Sequence, residues 1–396
     1  MKIIVCNIGS TSFKYQLLDM ESEKQISRGY IERVGEDNAI VTYWIDDKKI
    51  LQDELPIKSQ KEAVKHALDF LTSTSNNFIA GIEEIDGIGF KTIQAGEKNG
   101  SVILDDDVLT AMENYASLAP AHNPPYLEAI YMFRELLPNT PLVGVFEPGF
   151  HTTIPEYARV YGIPYEWIEK YGVIKYGYHG ASHRYITSET IEVVNLNPQN
   201  HKVISVHLGG SSSLCAYKDG ISVDTTMGFT PQSGLIQGTR IGDLDPFVLP
   251  YIMEKKNLTL EEALNECSKN GGLKGLSGLS ADMREINNEI SKNNERALLA
   301  RNKFIYDIKR YIGEFIVLME GVDAITFTGG IGQKDMALRK EVINSLEFLG
   351  MKIDENKNEC NEQIISSLES KIFALVLETN EELVVARETK KVILNN

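Results

Sequence analysis

Apolar and polar residues alternate at the start of the chain, and a small polar turn interrupts the alternation. Residues 3–18 read IIVCNIGSTSFKYQLL. Alternation with a period of two predicts two strands, and a glycine among polar residues is typical of the tight hairpin that joins them. The turn contains Asn7, Gly9, Ser10 and Ser12, with Lys14 close behind. Since a hairpin needs only part of this polar chemistry, two interpretations stay open: a turn that satisfies its own backbone, or a ligand site.

Apolar residues at helical spacing predict three helices further along the chain. The first covers 60–72, the second covers 260–268 and the third covers about 291–319. A capping box formed by Thr259 and Glu262 opens the second helix. The polar tract from about 355 to 370 is expected to be a solvated helix face. We assign no chemistry to these elements.

The length of 396 residues predicts two domains, because burial per residue stops improving near roughly 250 to 300 residues. A content of 42% hydrophobic and 24% charged residues is that of an ordinary soluble globular protein. With no long apolar segment and no recognisable signal peptide, the chain is expected to be cytoplasmic. The cysteines are scattered without a CxxC pair, which argues against a zinc or redox motif. Cys6 and Cys215 lie in apolar strands and are expected to be buried thiols.

The formal net charge of −16 argues against nucleic acid and anionic membranes as partners, because both attract a basic surface. An anionic ligand would have to be held by a local group of cations. The candidate anion-binding residues are therefore arginine, lysine and histidine residues that lie among glycines.

The opening hairpin has a second copy. Residues 204–217 read ISVHLGGSSSLCAY, and a shift of 201 places Gly9, Ser10 and Ser12 on Gly210, Ser211 and Ser213. Each half of the chain is therefore expected to begin with the same strand-turn-strand unit. Two such turns facing each other across a cleft would aim several backbone N–H groups at a phosphate.

A third strand is expected to end in glycines at 324–332, AITFTGGIG. Paired glycines allow the backbone to approach a flat ligand such as a nucleotide base or ribose. Each of the three turns on its own is more typical of structure than of binding. Their recurrence at the ends of three strands favours a nucleotide site.

Two further segments contain candidate reactive groups. His179 lies in YGYHGASHR, 176–184, where the neighbouring glycines leave room for a ligand, although a histidine beside aromatic residues is often a satisfied core residue. Arg240 is the central cation of the glycine-rich stretch 224–246, and its planar fork suits a carboxylate or a phosphoryl group. The alternative is a surface arginine paired with Asp243 or Asp245.

Seven segments in this order resemble the acetate kinase family, and the resemblance covers nearly the whole chain. They are NIGSTSFKYQLLD, LAPAHNPP, YGYHGASHRY, DTTMGFTPQSGLIQGTRIGDLDP, GLSADMR, FTGGIG and TNEELVVARET. The resemblance implies an α/β fold of two duplicated actin-like ATPase (ribonuclease H-like) domains with five-stranded sheets around a nucleotide cleft. It implies an N-terminal domain of residues 1–149 plus 379–396 and a C-terminal domain of residues 150–378, with homodimerisation through the second.

The same resemblance implies roles for individual residues, Mg²⁺ or Mn²⁺ as the metal, and ATP as co-substrate. The catalytic residues would be His179, Arg240 and Glu147. The metal ligands would be Asn7 and Glu381, with Glu382 as the neighbouring alternative. The substrate would contact Lys91, Ile93, Ala121, Tyr178 and Pro231. The nucleotide would contact Ser10, Ser12, Lys14, His207, Gly209, Gly210, Ser211, Asp282, Arg284, Gly330 and Ile331, with His122 near the phosphates.

The chain departs from the family pattern mainly where the substrate would bind. Lys91 stands in place of an arginine, and a lysine cannot reproduce bidentate arginine geometry. Ala121 replaces a leucine that walls the substrate methyl group, and Glu147 replaces an aspartate. The other departures are Ile93 for valine, Gln94 for histidine, Ala95 for glycine, Tyr178 for phenylalanine, Ser211 for glycine and Lys334 for asparagine. They leave open both the acid and the choice among ATP, another nucleoside triphosphate and pyrophosphate.

Three functions are compatible with these residues. The leading one is reversible, Mg²⁺-dependent phosphoryl transfer from ATP to a small carboxylate, which requires alignment of two anions and neutralisation of their charge rather than a strong base. The alternative is a catalytically impaired relative that binds nucleotide and has a regulatory role. A sugar kinase or chaperone ATPase of the same superfold is disfavoured, because the matched motifs are specific to carboxylate kinases.

Overall fold

The computed structural model describes residues 1–45, 48–73, 78–116 and 123–396. The described chain divides into two compact units. The first unit comprises Met1–Gly149 and Asn380–Asn396, and the second comprises Phe150–Thr379. The C-terminal helix and the N-terminal strand therefore belong to the same unit.

The first unit contains eight strands and four α-helices among its described residues. The strands are β1 (Lys2–Gly9), β2 (Ser12–Asp19), β3 (Lys24–Glu32), β4 (Ala39–Ile45), β5 (Lys48–Leu55), β6 (Gly87–Thr92), β7 (Ser101–Ile103) and β8 (Leu142–Phe146). The helices are α1 (Gln60–Thr72), α2 (Asp106–Asn114), α3 (Asn123–Leu136) and, at the C-terminus, α15 (Glu381–Asn395). A 3-10 helix covers Ile82–Glu84.

All eight strands form one sheet in the order β5-β4-β3-β2-β1-β6-β8-β7. The strands from β5 to β1 are antiparallel, and β1, β6 and β8 run parallel to one another. One face buries a core that includes Ile4, Cys6 and Ile8, against which α1 and α3 pack. Helix α15 covers the other face over β1, β6 and β8.

Two glycines of β6 allow α15 to approach the sheet closely. A Cβ on Gly89 would lie 2.3 Å from Oγ1 of Thr389, and a Cβ on Gly87 would lie 2.3 Å from Cδ1 of Ile393. Residues two apart on a strand share a face, so Lys91 lies on the same side of β6 as these glycines. The close packing thus brings the first turn of α15 to the Lys91 end of the strand.

The second unit contains five strands and eleven α-helices among its described residues. The strands are β9 (Lys202–Leu208), β10 (Ser212–Lys218), β11 (Ile221–Thr225), β12 (Ala324–Thr328) and β13 (Phe373–Val376). The helices are α4 (Glu156–Arg159), α5 (Tyr165–Tyr171), α6 (Gly180–Val193), α7 (Val248–Lys256), α8 (Leu260–Lys269), α9 (Gly272–Ser277), α10 (Met283–Ile290), α11 (Glu295–Met319), α12 (Gly329–Lys334), α13 (Met336–Asn344) and α14 (Glu355–Glu359). A further 3-10 helix covers Glu347–Leu349, and another, Glu147–His151, begins in the last residues of the first unit and ends in the second.

The sheet of the second unit repeats a pattern found in the first. Its order is β11-β10-β9-β12-β13, with β9 to β11 antiparallel and β9, β12 and β13 parallel. The strands β3-β2-β1-β6-β8 have the same order and directions. The expectation of five-stranded sheets is therefore correct for the second unit and wrong for the first, where β4, β5 and β7 extend the pattern to eight strands.

The local predictions hold at several points. The hairpin predicted at 3–18 is β1-β2, and α1 covers the predicted range 60–72. Helix α8 begins with the predicted capping box, in which Thr259 and Glu262 bond reciprocally. Helix α11 begins at Glu295, after an Asn294 cap, rather than near 291.

The tract from 355 to 370 is not one helix, because α14 ends at Glu359 and a turn follows. The buried positions of Cys6 and Cys215 agree with the expectation. Within the described parts of the chain, no helix is both long enough and apolar enough to cross a bilayer.

Candidate active site

The polar hairpin of the first unit places Asn7 and Lys14 side by side. They are cross-strand partners on β1 and β2, and Gly9 pairs with Ser12 to close a two-residue loop containing the exposed Ser10. A Cβ on Gly9 would lie 2.7 Å from Oγ of Ser12, so a larger residue there would require the Ser12 hydroxyl to move. The register thus fixes which polar side chains share one end of the sheet.

The second hairpin closes differently. Leu208 pairs with Ser212 around a three-residue loop, and Ser213 pairs with His207. In the first hairpin, Ser12 pairs with a glycine instead. The repeated Gly-Ser sequence therefore marks equivalent hairpins. A constant shift of 201 residues, however, does not superimpose residues that have the same pairing position in the two hairpins.

A buried ionic cluster lies where β6, β8 and α15 meet. Lys91 Nζ lies 3.3 Å from Oε1 of Glu147 and also forms an ion pair with Oε2 of Glu381. Glu147 follows β8 directly, and Glu381 is the first residue of α15. Their side chains are only 4% and 16% exposed, against 19% for Lys91, so all three charges are largely removed from water.

The two carboxylates decide the charge state of the lysine. Burial alone would lower the pKa of Lys91, but the charges of Glu381 and Glu147 outweigh it and hold that pKa well above its usual range. The cluster therefore contains one firmly protonated ammonium between two carboxylates.

Asn7 contacts the buried hydroxyl of Tyr126, a residue that interacts electrostatically with Lys91. The Tyr126 hydroxyl accepts from the backbone N–H of Ile8 at 3.1 Å and lies 3.4 Å from Oδ1 of Asn7. Burial raises the pKa of this tyrosine, while the hydrogen bond from Ile8 and then the charge of Lys91 oppose the rise. Nothing in its own segment marks Tyr126, because its contact with Asn7 depends on α3 packing against β1.

A cavity of about 210 Å³ opens beside Asn7 within the first unit. Lys14 and Glu382 also line it, and the Lys14 ammonium lies 4.4 Å from the ring centre of Tyr30. Of the two candidate metal ligands on α15, Glu382 shares this cavity with Asn7 and Glu381 contacts Lys91.

The oxygen donors near Asn7 fit Mg²⁺ chemically. Among the residues that the structure describes, no group of three or more His, Cys, Asp or Glu side chains is placed to hold a metal by itself. Mg²⁺ ordinarily uses one or two carboxylate or carbonyl ligands and completes its shell with water and substrate phosphates. An amide oxygen and one carboxylate of α15 match that mode.

In the second unit, His179 adopts an unusual backbone conformation at the start of α6. It is the N-cap residue with φ of 57°, a left-handed conformation that is uncommon for residues other than glycine. Its Nδ1 lies 2.8 Å from Oγ of Ser213, and its ring stacks on His207 with centroids 4.4 Å apart. The next residue, Gly180, begins the helix.

Arg240 is bound to the second hairpin and not to an acid. Its Nη1 donates to Ser211 Oγ at 2.9 Å, to Gln237 Oε1 at 3.2 Å and to the Pro231 carbonyl at 3.3 Å. Among the described residues it has no carboxylate partner, and Asp243 instead pairs with Arg310. The alternative of a surface arginine paired with Asp243 or Asp245 is therefore wrong. Partial burial lowers the pKa of Arg240.

Gln237 was missed by the sequence analysis, although it organises this corner of the site. It is fully buried, and its Oε1 accepts from both Oγ of Ser211 and the backbone of Ser212. Its Nε2 donates to Pro231 at 2.8 Å. Only the position of the loop against the hairpin reveals this role.

Six of the expected nucleotide contacts line one cavity of about 710 Å³ in the second unit. They are Gly209, Gly210, Asp282, Arg284, Gly330 and Ile331. Lys334 lines the same cavity. Asp282 caps α10, and its hydrogen bonds with Arg284 hold the pKa of its carboxyl at about 2.

The expected substrate contacts are distributed over both units. Ile93 follows β6 in the first unit, and the neighbouring Gln94 is buried with its Oε1 accepting from the Gly96 backbone. Tyr178 is 4% exposed in the second unit, and its hydroxyl donates to the Phe229 carbonyl at 2.8 Å, so that proton is already used. Ala121 and His122 lie outside the described residues.

Comparison with known proteins gives the family. The model of the Acetokinase family matches residues 2–387. The chain belongs to this family. An acetate kinase from Clostridium novyi is 42% identical over 399 residues, covering 100% of this chain and 99% of the relative.

Two solved structures are similar over 99% of both chains. They are acetate kinase from Porphyromonas gingivalis, at a TM-score of 0.91 and 36% identity, and a propionate kinase from Francisella tularensis, at 0.91 and 35%. The expected α/β fold of two actin-like ATPase domains is confirmed. The protein is an ATP-binding phosphotransferase that acts on a carboxyl group.

Proposed function

We propose that the protein transfers the γ-phosphoryl group of ATP to a short aliphatic carboxylate, acetate or propionate, in a reversible, Mg²⁺-dependent reaction that gives an acyl phosphate. The observation that carries the proposal is Arg240. Its guanidinium is partly buried and bonded only to neutral oxygens among the described residues. A cation in that state is electrostatically suited to an anionic ligand.

The residues supply what this reaction needs. A carboxylate nucleophile is already ionised, so catalysis consists of positioning and of charge neutralisation. Arg240 binds the carboxylate and then the transferring phosphoryl oxygens, and His179 donates a hydrogen bond to that phosphoryl group. The cavity lined by Gly330, Ile331 and Asp282 receives the nucleoside.

Asn7 and a carboxylate of α15 would hold the metal in the first unit, with Glu381 as our choice and Glu382, which lines the cavity beside Asn7, as the neighbour to test. Bound Mg²⁺ supplies charge neutralisation at the phosphates. Glu147 and Lys91 fix the orientation of Glu381 through the buried ionic cluster.

The size of the acid follows from the relatives and from the pocket residues. One similar structure is an acetate kinase and another is a propionate kinase. At position 121 the family pattern has a leucine where this chain has the smaller alanine, which favours an acid longer than acetate. Since the Tyr178 hydroxyl is bonded to Phe229, we expect the ring rather than the hydroxyl to face the acid, which favours an aliphatic chain over a hydroxy acid.

The test is acyl hydroxamate formation with ATP, Mg²⁺, hydroxylamine and a panel of acetate, propionate, butyrate and glycolate. We expect acetate and propionate to be the best acids and EDTA to abolish the signal. Arg240→Gln should lower kcat/KM for the carboxylate by about 10²- to 10³-fold, whereas Arg310→Gln, on the surface pair with Asp243, should leave it unchanged. Absence of hydroxamate from every acid would refute the proposal.

The comparisons give no support to a catalytically impaired relative, and we do not propose one. The resemblance also implies a cytoplasmic homodimer, which we retain as part of the proposal. Sedimentation velocity tests the dimer, since a species near twice the chain mass of 44.3 kDa is expected.

A further inference from the structure

Four imidazole and hydroxyl groups form one continuous hydrogen-bonded chain in the second unit. Nδ1 of His179 lies 2.8 Å from Oγ of Ser213, which lies 2.8 Å from Nε2 of His183. Nδ1 of His183 in turn lies 2.9 Å from Oγ of Ser205. Ser213, His183 and Ser205 are fully buried, so water cannot substitute for any of these partners.

The Ser205 hydroxyl, at the buried end of this hydrogen-bonded series, determines which group is the donor in each of its hydrogen bonds. Ser205 Oγ has His183 Nδ1 as its single hydrogen-bond partner among the described residues. Its proton must therefore be donated to Nδ1, since a buried hydroxyl proton without an acceptor costs about 1–3 kcal/mol. His183 is neutral, because burial and then the nearby His151 and His207 hold its pKa well below the usual range. With Nδ1 accepting, the one proton of His183 lies on Nε2.

The same reasoning continues to His179. Nε2–H of His183 donates to Ser213 Oγ, and the Ser213 hydroxyl is left with one acceptor, Nδ1 of His179. Nδ1 of His179 is thus an acceptor, and the ring proton of the neutral imidazole lies on Nε2.

We propose that Ser205, His183 and Ser213 act as positioning residues that hold His179 in the Nε2–H tautomer through this one-way chain of hydrogen bonds. The assignment makes His179 a neutral donor at Nε2 before any phosphoryl group reaches it. Its kinetic consequence rests on the proposed function; the tautomer itself does not.

A neighbouring pair follows the same rule independently. The buried Ser182 hydroxyl has Nδ1 of His207, at 2.8 Å, as its single described partner, and it must therefore donate there. His207 is stacked on His179 with centroids 4.4 Å apart. Two stacked imidazoles thus each receive a serine proton at Nδ1 and present a proton at Nε2.

The direct test is imidazole ¹⁵N spectroscopy of the full-length protein labelled at histidine, with His179 assigned from His179→Gln. In the wild type we expect Nε2 of His179 to be protonated and Nδ1 to be an acceptor. Ser213→Ala should give a mixture of tautomers, and Ser213→Thr, which retains the hydroxyl, should restore the wild-type pattern. A protonated Nδ1 in the wild type, or an unchanged tautomer in Ser213→Ala, would overturn the proposal.

Kinetics provide the second arm. Ser213→Ala should lower kcat by about 10- to 100-fold, by analogy with groups that orient metal-bound imidazoles, with little change in KM for ATP or carboxylate, and Ser213→Thr should recover most of it. Ser222→Ala is the matched control, because this buried hydroxyl bonds His151 Nδ1 at 3.0 Å and does not belong to the chain. An equal loss in both alanine variants would contradict the positioning role. A wild type that makes no acyl phosphate would refute the proposed function, while the ¹⁵N result would still decide the tautomer.

Discussion

Lys91 and Glu147 form a buried ion pair in which Nζ of the lysine lies 3.3 Å from Oε1 of the glutamate, although the two residues are 56 positions apart. Lys91 lies on β6, and Glu147 directly follows the neighbouring parallel strand β8. The pairing follows from the register, because Lys91 is opposite Val145 and Glu147 comes two residues later. The same ammonium also bonds Glu381. One lysine therefore compensates the charge of two carboxylates, whose burial without a cation would be energetically unfavourable.

Removing the lysine charge should destabilise the first unit. Lys91→Met leaves two largely buried carboxylates without their cation, and breaking such a pair costs about 3–5 kcal/mol. Urea unfolding at pH 7 measures the loss, which should shrink at lower pH as the carboxylates become protonated. Lys61→Met is the control, since its pair with Glu135 is solvent-exposed and is worth about 0–1 kcal/mol. Equal losses in both variants would contradict the account of the cluster.

The lengths of Lys91 and Glu147 should be matched to each other. Lys91→Arg inserts a longer, planar cation, and Glu147→Asp withdraws the carboxylate by one methylene. We expect each single change to lower stability and the double variant Lys91→Arg/Glu147→Asp to recover a coupling energy of about 0.5–3 kcal/mol. A double-mutant cycle by urea unfolding measures this, and additive losses would show that the two side chains are independent.

Two adjacent glycines should respond in opposite ways to one methyl group. A Cβ on Gly330 meets nothing within 4 Å and would project into open space at the nucleotide cavity, so Gly330→Ala should fold normally and raise KM for ATP. Gly329 has φ of 76°, and a Cβ there would lie 2.5 Å from the Leu208 carbonyl oxygen, so Gly329→Ala should lower the melting temperature. Thermal unfolding and ATP kinetics of both variants test this difference. An equal loss of stability in the two variants would contradict the prediction.

Acid should destabilise the second unit through its buried histidines. Burial lowers the pKa of His151 to about 4. Between about pH 6.5 and pH 4, this histidine is therefore protonated in the unfolded chain and neutral in the folded chain. Stability therefore falls as pH decreases through this window, by at most about 1.4 kcal/mol per pH unit for each such histidine. His151→Gln should flatten the slope. Parallel pH profiles for wild type and variant would contradict the assignment.

Local signals made the hairpins and helix ends predictable. The alternation around Asn7 fixes β1 and β2, and the Thr259 cap fixes the start of α8, because each depends on residues adjacent in sequence. The helix predicted for the polar tract after Glu355 was wrong beyond Glu359, since charged residues are as compatible with a turn as with a solvated helix. Strands β4, β5 and β7 extend the first sheet beyond the family-based expectation of five strands.

Contacts that join distant segments were not predictable in the same way. Gln237 and Tyr126 act through a loop and a helix packed against hairpins, and nothing in their own segments marks them. His183 carried a usable signal, since it follows His179 by four positions, about one helical turn into α6. Its connection to Ser205 and Ser213 required the position of β9 and β10 against that helix.

The central claim is phosphoryl transfer from ATP to a carboxylate, and ³¹P NMR of the purified protein with ATP, Mg²⁺ and acetate or propionate measures it most directly. The account predicts an acyl phosphate resonance that grows in step with ADP, and its reversal when acyl phosphate and ADP are supplied instead. ADP accumulating with inorganic phosphate alone, or ATP remaining unchanged with both acids, would contradict it.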